Sequence, residues 1–164
     1  MPEGFLTGSM TVKIALVALG RRGNGDDAIG IEILERFKAR SVECEIVKAY
    51  GGAKPTNALE KIGACDAMII IDAATMGEAP GAMKILDINE IVFATENEMT
   101  FHGVDSATEV LMLQKFGGPP HAKLFCIEPF SLEGDTLSST LLSRMPNYLE
   151  ALHELVERLS RSIS

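Results

Sequence analysis

Three side chains that could bind a metal ion follow separate apolar or loop-like segments of the sequence. Asp27 comes after a glycine-rich turn at the end of the first apolar segment, and Asp72 directly follows the apolar residues 67–71. His102 precedes a helix-like pattern. In open α/β sheets, ligands bind outside the carboxyl ends of the strands, so we expect these side chains to converge at one sheet edge. Two carboxylates and an imidazole suit a divalent ion such as nickel or zinc.

Each candidate ligand also has an ordinary structural explanation. Asp is favoured at helix N-caps and in the first helical turn, and we assign that capping role to Asp26 and the crevice-facing role to Asp27. Asp72 could instead form a strand-end turn, and His102 could be an exposed loop histidine. However, a carboxylate at the end of an apolar segment is partly desolvated, which makes its proton affinity tunable.

The remaining histidines and the common catalytic motifs add no competing site. His121 lies beside two prolines and His153 borders the apolar stripe of the last helix, so we interpret both as structural. The sequence contains no Gly-x-Ser-x-Gly, His-Glu-x-x-His or Cys-x-x-Cys pattern. Common serine hydrolases, zinc peptidases of the His-Glu-x-x-His type and thiol redox enzymes are therefore disfavoured.

The glycine-rich residues 20–30 offer an alternative, because glycine-rich turns at helix N-termini bind phosphate through exposed N–H groups. Arg21 and Arg22 favour this interpretation. Against it, the pattern is not Gly-x-Gly-x-x-Gly, and the carboxylates of Asp26 and Asp27 would repel a phosphate. The second strand also ends without the acid expected to bind a ribose hydroxyl. A phosphate- or nucleotide-binding enzyme is thus the weaker hypothesis.

Composition indicates one domain with an aliphatic core. The 164 residues are 46% apolar but only 5% aromatic, so Ile, Leu, Val, Ala and the eight Met must fill the interior. We interpret residues 1–10 as a loose N-terminal lead-in and residues 11–164 as a single α/β domain. A net charge of −8 disfavours nucleic-acid and anionic-membrane partners, because proteins bind these partners through clustered Lys and Arg.

The termini and cysteines indicate a cytoplasmic protein. Its first residues lack the basic start and apolar run of a secretory signal, and no apolar stretch approaches the ~20 residues of a membrane-spanning helix. We therefore predict no membrane insertion. The three cysteines, Cys44, Cys65 and Cys126, are widely spaced in or beside apolar segments, which favours buried reduced thiols over disulfides.

Apolar segments alternate with helical patterns from Val12 onward, which is typical of βαβ units around a largely parallel sheet. Strands are predicted at Val12–Leu19, 42–49, 67–71, 82–86 and 122–127. The link before residues 82–86 is too short for a helical crossover, so that strand should be antiparallel. Helices are predicted from residue 29, from Pro55 to Ile62, after a capping box at Ser106, and at the C-terminus. We predict a three-layer α/β/α sandwich.

Several short fragments, taken together in order, resemble the hydrogenase maturation proteases, which trim the C-terminus of the [NiFe]-hydrogenase large subunit. The fragments are Gly23-Asn24, Asp26-Asp27-Ala28-Ile29-Gly30, Gly51-Gly52, Ile71-Asp72-Ala73, Ala79-Pro80-Gly81, His102 ahead of Glu109-Val110-Leu111, Ile127-Glu128-Pro129 and Ser131-Leu132-Glu133. The resemblance extends from Val12 to about Leu159. The first loop departs from it, because residues 20–26 replace the family's usual Gly-x-Gly-Asn and longer following stretch.

The resemblance implies a five-stranded, mostly parallel mixed sheet with one antiparallel strand and helices on both faces. It also implies that Asp27, Asp72 and His102 are the metal-contact and catalytic residues of a nickel-dependent processing endopeptidase. The nickel would be supplied by the hydrogenase large-subunit precursor and would not be held permanently. The divergent first loop leaves open a non-catalytic metallocentre assembly factor that recognises the precursor without cutting it.

Overall fold

The central sheet is built from four parallel strands and one antiparallel strand. The computed structural model describes residues 11–40, 43–53, 55–87, 90, 100–101 and 118–163. Within these ranges the strands are β1 (Val12–Leu19), β2 (Cys44–Gly52), β3 (Ala67–Thr75), β4 (Met83–Asp87), β5 (Thr100–Phe101) and β6 (His121–Ile127). The helices are α1 (Ile29–Arg36), α2 (Leu59–Ile62), α3 (Ser139–Ser143) and α4 (Met145–Ile163), with 3₁₀ helices at Gly25–Ala28 and Pro55–Ala58.

The strand order β2-β1-β3-β6-β4 places β1 and β3 in the interior of the sheet. β1 is parallel to β2 and β3, and β3 is parallel to β6. β4 runs antiparallel to β6 at the far edge. The predicted five-stranded mixed sheet is therefore confirmed. The two-residue β5 adds a short antiparallel pairing with the end of β3.

Apolar side chains project from both faces of the sheet and pack against the helices. In β1, Ile14 and Leu16 contribute to the core beneath α1 and α4, whereas Ala15 and Val17 contribute to the core on the α2 side. This alternation follows from the two-residue period of a strand. Strands buried on both faces are expected to be almost continuously apolar, as β1 and β3 are. The half-exposed pattern of β2 agrees with its position at the sheet edge.

The ends of two strands differ from the sequence prediction. β2 does not end at residue 49 but continues to Gly52. β3 does not stop at Asp72 but continues to Thr75, so the carboxylate belongs to a strand and not to a strand-end turn. Ala73 pairs with Ile127 of β6, and Ala74 pairs with Phe101 of β5. Buried backbone N–H and C=O groups need hydrogen-bond partners. Strands β5 and β6 provide these partners to β3 beyond Asp72, so β3 continues past this residue.

Several predictions fall outside the ranges that the structure describes. They are the lead-in at residues 1–10, most of the surface excursion predicted at 87–100, His102, and the helix predicted to begin at Ser106. All three cysteines are described and are free thiols, as predicted, but only Cys126 is buried, whereas Cys44 and Cys65 are partly exposed. None of the described helices has the length and apolar character needed to cross a bilayer. His153 stacks on Phe37 with ring centroids 4.4 Å apart, which agrees with a structural role.

Candidate active site

Two glycines allow the turn after β1 to pack closely against the ends of β1 and β3. A Cβ atom on Gly20 would lie 2.0 Å from the carbonyl oxygen of Asp27, and Gly20 has a φ of +104°. A Cβ atom on Gly30 would lie 2.4 Å from the carbonyl oxygen of Ile71. Both distances are shorter than a side chain permits. The absence of side chains at these positions therefore brings the start of α1 to the segment of β3 that carries Asp72.

Asp27 lies in the 3₁₀ helix Gly25–Ala28 that leads into α1. Its side chain is largely buried, with 9% of the residue exposed. The backbone N–H of Arg21 donates a hydrogen bond of 2.9 Å to Oδ2 of Asp27. The glycine-rich turn therefore wraps around this carboxylate and fixes its orientation.

Asp72 is almost completely buried, with 1% of the residue exposed. The backbone N–H of Ala73 donates to Oδ1 at 2.8 Å, while Oδ2 has no hydrogen-bond partner among the described residues. Burial raises the pKa of Asp72 well above its ordinary value, and the negative charge of Asp27 raises it further. The two carboxylates are thus electrostatically coupled at the carboxyl ends of β1 and β3.

Asp26 has a different role from the helix cap predicted from the sequence. No side-chain capping hydrogen bond is present at the start of the 3₁₀ helix. Instead the fully buried Asp26 carboxylate accepts hydrogen bonds from the N–H groups of Phe130 and Ser131, and from both the N–H and the hydroxyl of Ser138. The capping assignment is therefore wrong: Asp26 fixes the loop after β6. Asp26 and Asp27 therefore have different surroundings, and the assignment of Asp27 to a binding crevice stays a prediction.

The main-chain hydrogen bonds of the glycine-rich turn disfavour the phosphate-binding alternative. The N–H of Gly20 donates to Gly52, that of Arg21 to the Asp27 carboxylate, and those of Gly25 and Asp26 to the carbonyls of Gly134 and Ser131. A phosphate cradle needs such N–H groups to be available to the ligand. In this turn they are used to hold the loop and the carboxylate.

Sequence reasoning missed Glu128 as a residue that shapes the site. This buried carboxylate follows β6, and its Oε1 accepts hydrogen bonds from the N–H groups of Met76 and Glu78 at 2.7 and 3.1 Å. It therefore fixes the chain just after β3. The available signal was the acid at the end of an apolar strand, the same pattern that identified Asp72.

Cys126 lies beside Asp72 as its register partner on β6. Burial raises the pKa of this thiol, and the neighbouring Asp72 raises it further, so the thiol stays protonated. Cys126 therefore contributes a neutral neighbour to Asp72 and no additional charge.

The third predicted ligand, His102, lies outside the described residues. Phe101, which immediately precedes it in the sequence, pairs with Ala74, two residues beyond Asp72. Within the ranges given above, no group of three or more His, Cys, Asp or Glu side chains could hold a metal ion. The described part of the site thus consists of the Asp27 and Asp72 pair.

This carboxylate pair fits a divalent cation. Two acidic side chains in a poorly hydrated place repel each other when both are ionised, and a cation would offset that repulsion. Oδ2 of Asp72 lacks a partner in the described structure and could accept such a contact. The pair alone supplies too few ligands for tight, permanent binding of a cation.

The fold and the carboxylate pair define an α/β/α protein with an acidic site at the carboxyl ends of parallel strands. Residues 31–159 match the HycI hydrogenase maturation protease family. The chain belongs to this family. The match includes Asp72 and His102 and begins four residues after Asp27. Family membership supports an endopeptidase role in hydrogenase processing.

Individual relatives agree with this assignment. The hydrogenase expression/formation protein HupD from Rhizobium leguminosarum bv. viciae is 26% identical over 84% of this chain and 71% of its own length. The hydrogenase maturating endopeptidase HybD from E. coli is 27% identical, with a TM-score of 0.71 over 90% of this chain and 93% of its own. A second endopeptidase from E. coli is 25% identical, with a TM-score of 0.72 over 93% of this chain and 100% of its own.

Proposed function

We propose that this protein removes the C-terminal extension of a [NiFe]-hydrogenase large-subunit precursor after nickel insertion. Asp27, Asp72 and His102 would contact the nickel that the precursor carries, and the metal would leave with the processed product. The observation that carries the proposal is the coupled pair of buried carboxylates, in which the Asp27 charge raises the pKa of Asp72. The cytoplasmic location predicted from the sequence belongs to the same proposal.

The carboxylate pair would report whether the precursor is loaded with nickel. Without a cation, burial and mutual repulsion favour the protonated form of Asp72. A cation near Oδ2 favours the ionised form, so binding of the loaded precursor would release this proton. A precursor without nickel would leave the repulsion in place and would bind less tightly.

Cleavage adds one water molecule across a peptide bond and yields a new carboxyl terminus and a new amino terminus. The nickel would polarise the scissile carbonyl or lower the pKa of the attacking water. One carboxylate of the pair would alternatively accept the proton of that water as a general base.

The direct test is incubation of the protein with a nickel-loaded large-subunit precursor, followed by mass spectrometry. We expect a shortened large subunit and a small C-terminal fragment. The same precursor without nickel is the control and should remain intact. Binding of the loaded precursor without any fragment would contradict an endopeptidase and would instead support a non-catalytic assembly factor.

Asp27→Asn tests the contribution of the pair. This substitution should abolish cleavage of the loaded precursor, because it removes the charge that would contact the cation. The fold should survive, because loss of one charge near a helix start costs only about 0.3 to 1 kcal/mol. Glu154→Gln, which removes an exposed carboxylate on α4, is the matched control and should cut at the parent rate. Unchanged cleavage by Asp27→Asn would exclude Asp27 from the mechanism.

A further inference from the structure

The described structure leaves five large apolar side chains exposed. They are Tyr50, Met83, Phe130, Leu132 and Leu142. Tyr50 pairs with Ala18 near the end of β1, and Met83 pairs with Ile127 at the end of β6. Phe130 and Leu132 lie in the loop that follows β6. Four of the five therefore lie near the carboxyl ends of the parallel strands, where the carboxylate pair lies.

Phe130 is the most exposed of these side chains, at 63%, yet its backbone is firmly held. The N–H groups of Phe130 and Ser131 donate to Oδ2 of the buried Asp26 at 2.8 and 3.0 Å. In the opposite direction, the N–H of Asp26 donates to the carbonyl of Ser131 at 2.8 Å. The residue that anchors this loop is thus the direct sequence neighbour of Asp27.

An exposed aromatic side chain on a fixed backbone is suited to binding. Ordering a loop on association costs free energy, and a loop that is already held avoids most of that cost. Aromatic side chains bury a large area with few rotatable bonds, which is why they dominate binding energy at many protein interfaces. A lone exposed ring elsewhere on the surface would need no explanation, but the backbone that carries this ring is bonded to Asp26, the sequence neighbour of Asp27.

We propose that Phe130, together with Leu132, forms the apolar contact that positions the polypeptide substrate over the Asp27 and Asp72 pair. This inference rests on the proposed function and assigns to the loop after β6 a role in substrate affinity. The occupant is an apolar patch of the protein substrate next to the bond to be cut. A net charge of −8 and the two exposed apolar side chains, Phe130 and Leu132, agree with a protein partner and not with a nucleic acid.

Phe130 can be replaced without loss of the anchoring hydrogen bonds, because Asp26 binds its backbone and not its ring. Phe130→Ala removes the ring, and Phe130→Leu keeps an apolar side chain of smaller area. Leu142→Ala on α3 is the control, because Leu142 is also half exposed, at 49%, but lies outside the loop. The unfolding midpoints of all three variants should match that of the parent protein.

The experiment measures the dissociation constant for the nickel-loaded precursor and the steady-state kinetics of its cleavage. Phe130→Ala should raise the dissociation constant and KM at least about tenfold, equivalent to about 1.4 kcal/mol, and leave kcat within about twofold. Phe130→Leu should recover much of this loss, and Leu142→Ala should behave as the parent. Equal values for Phe130→Ala and the parent, or equal losses in Phe130→Ala and Leu142→Ala, would overturn the proposal.

Binding and cleavage separate this inference from the proposed function. A parent protein that binds the loaded precursor without cutting it would contradict the endopeptidase, while the dissociation constants would still test Phe130. A parent protein that cuts, together with unchanged constants for Phe130→Ala, would contradict only the role of the loop. A parent protein that neither binds nor cuts would overturn both.

Discussion

The carboxylate of Asp26 accepts two hydrogen bonds from Ser138, which lies 112 residues later in the sequence. The backbone N–H of Ser138 donates at 2.7 Å and its hydroxyl donates at 2.8 Å. The neighbouring Asp27 instead acts electrostatically on Asp72. Two adjacent and chemically identical residues therefore have separate roles: Asp26 holds the loop after β6, and Asp27 belongs to the candidate active site.

Asp26→Ala should strongly destabilise the protein. The substitution leaves the N–H groups of Phe130, Ser131 and Ser138 without their acceptor in a partly buried place, and each such loss costs about 1 to 3 kcal/mol. We expect a total loss of about 3 to 5 kcal/mol in the free energy of unfolding, measured by urea denaturation. Asp27→Asn is the control and should lose about 1 kcal/mol or less. Equal losses in the two variants would contradict the division of roles.

Asp72→Asn should become more stable relative to the parent as the pH rises. Because the folded-state pKa of Asp72 lies above its ordinary value of 3.8, the folded protein holds this proton more tightly than the unfolded chain does. The resulting stability is fully present below the unfolded pKa and is lost as the pH rises through the folded pKa. The Asp72→Asn variant has no titrating group at this position, so its free energy of unfolding does not fall in this way as the pH rises.

Urea denaturation of Asp72→Asn and the parent between about pH 4 and pH 8 measures this difference. It should grow by about 1.4 kcal/mol for each unit by which the pKa is raised, and then level off. The exposed Asp135→Asn is the control for removing a carboxyl group. A pH-independent difference between Asp72→Asn and the parent would show that the Asp72 pKa is not raised.

Gly30→Ala should destabilise the fold and impair cleavage together. Its methyl group would lie 2.4 Å from the carbonyl oxygen of Ile71, and backbone atoms in a buried strand cannot move away easily. Such overpacking costs about 1 to 3 kcal/mol and would displace α1, and with it Asp27, from Asp72. Thermal unfolding and the precursor assay measure the two effects. Glu35→Ala, on the exposed face of the same helix, should leave cleavage unchanged.

His102→Ala should flatten the pH dependence of precursor binding. A free histidine has a pKa of about 6.5, and protonation removes the lone pair that a metal needs. Binding of the loaded precursor by the parent should therefore weaken as the pH falls from about 7 to about 5.5. His121→Ala and His153→Ala should keep the parent profile. A parent-like profile in His102→Ala would reduce the predicted site to the two carboxylates.

Local sequence patterns were sufficient to predict most of the fold. The apolar segments gave β1, the antiparallel β4 and β6 nearly residue by residue, and the apolar stripe of α4 was evident from its three- and four-residue spacing. Such patterns predict secondary structure because a strand or helix must bury one or both faces, and burial requires apolar residues at the spacing of that strand or helix. The acids at the ends of apolar segments likewise predicted a candidate site at the carboxyl ends of the parallel strands.

Only the tertiary structure distinguishes the role of Asp26 from that of Asp27. Asp26 and Asp27 are indistinguishable by type and spacing, and their roles follow from Ser138 and Asp72, which lie far away in the sequence. The extension of β3 beyond Asp72 depends on pairing with β5 and β6, and the anchoring role of Glu128 depends on a loop about 50 residues earlier. Hydrogen bonds and desolvation of this kind arise when distant segments meet, so no local pattern contains them.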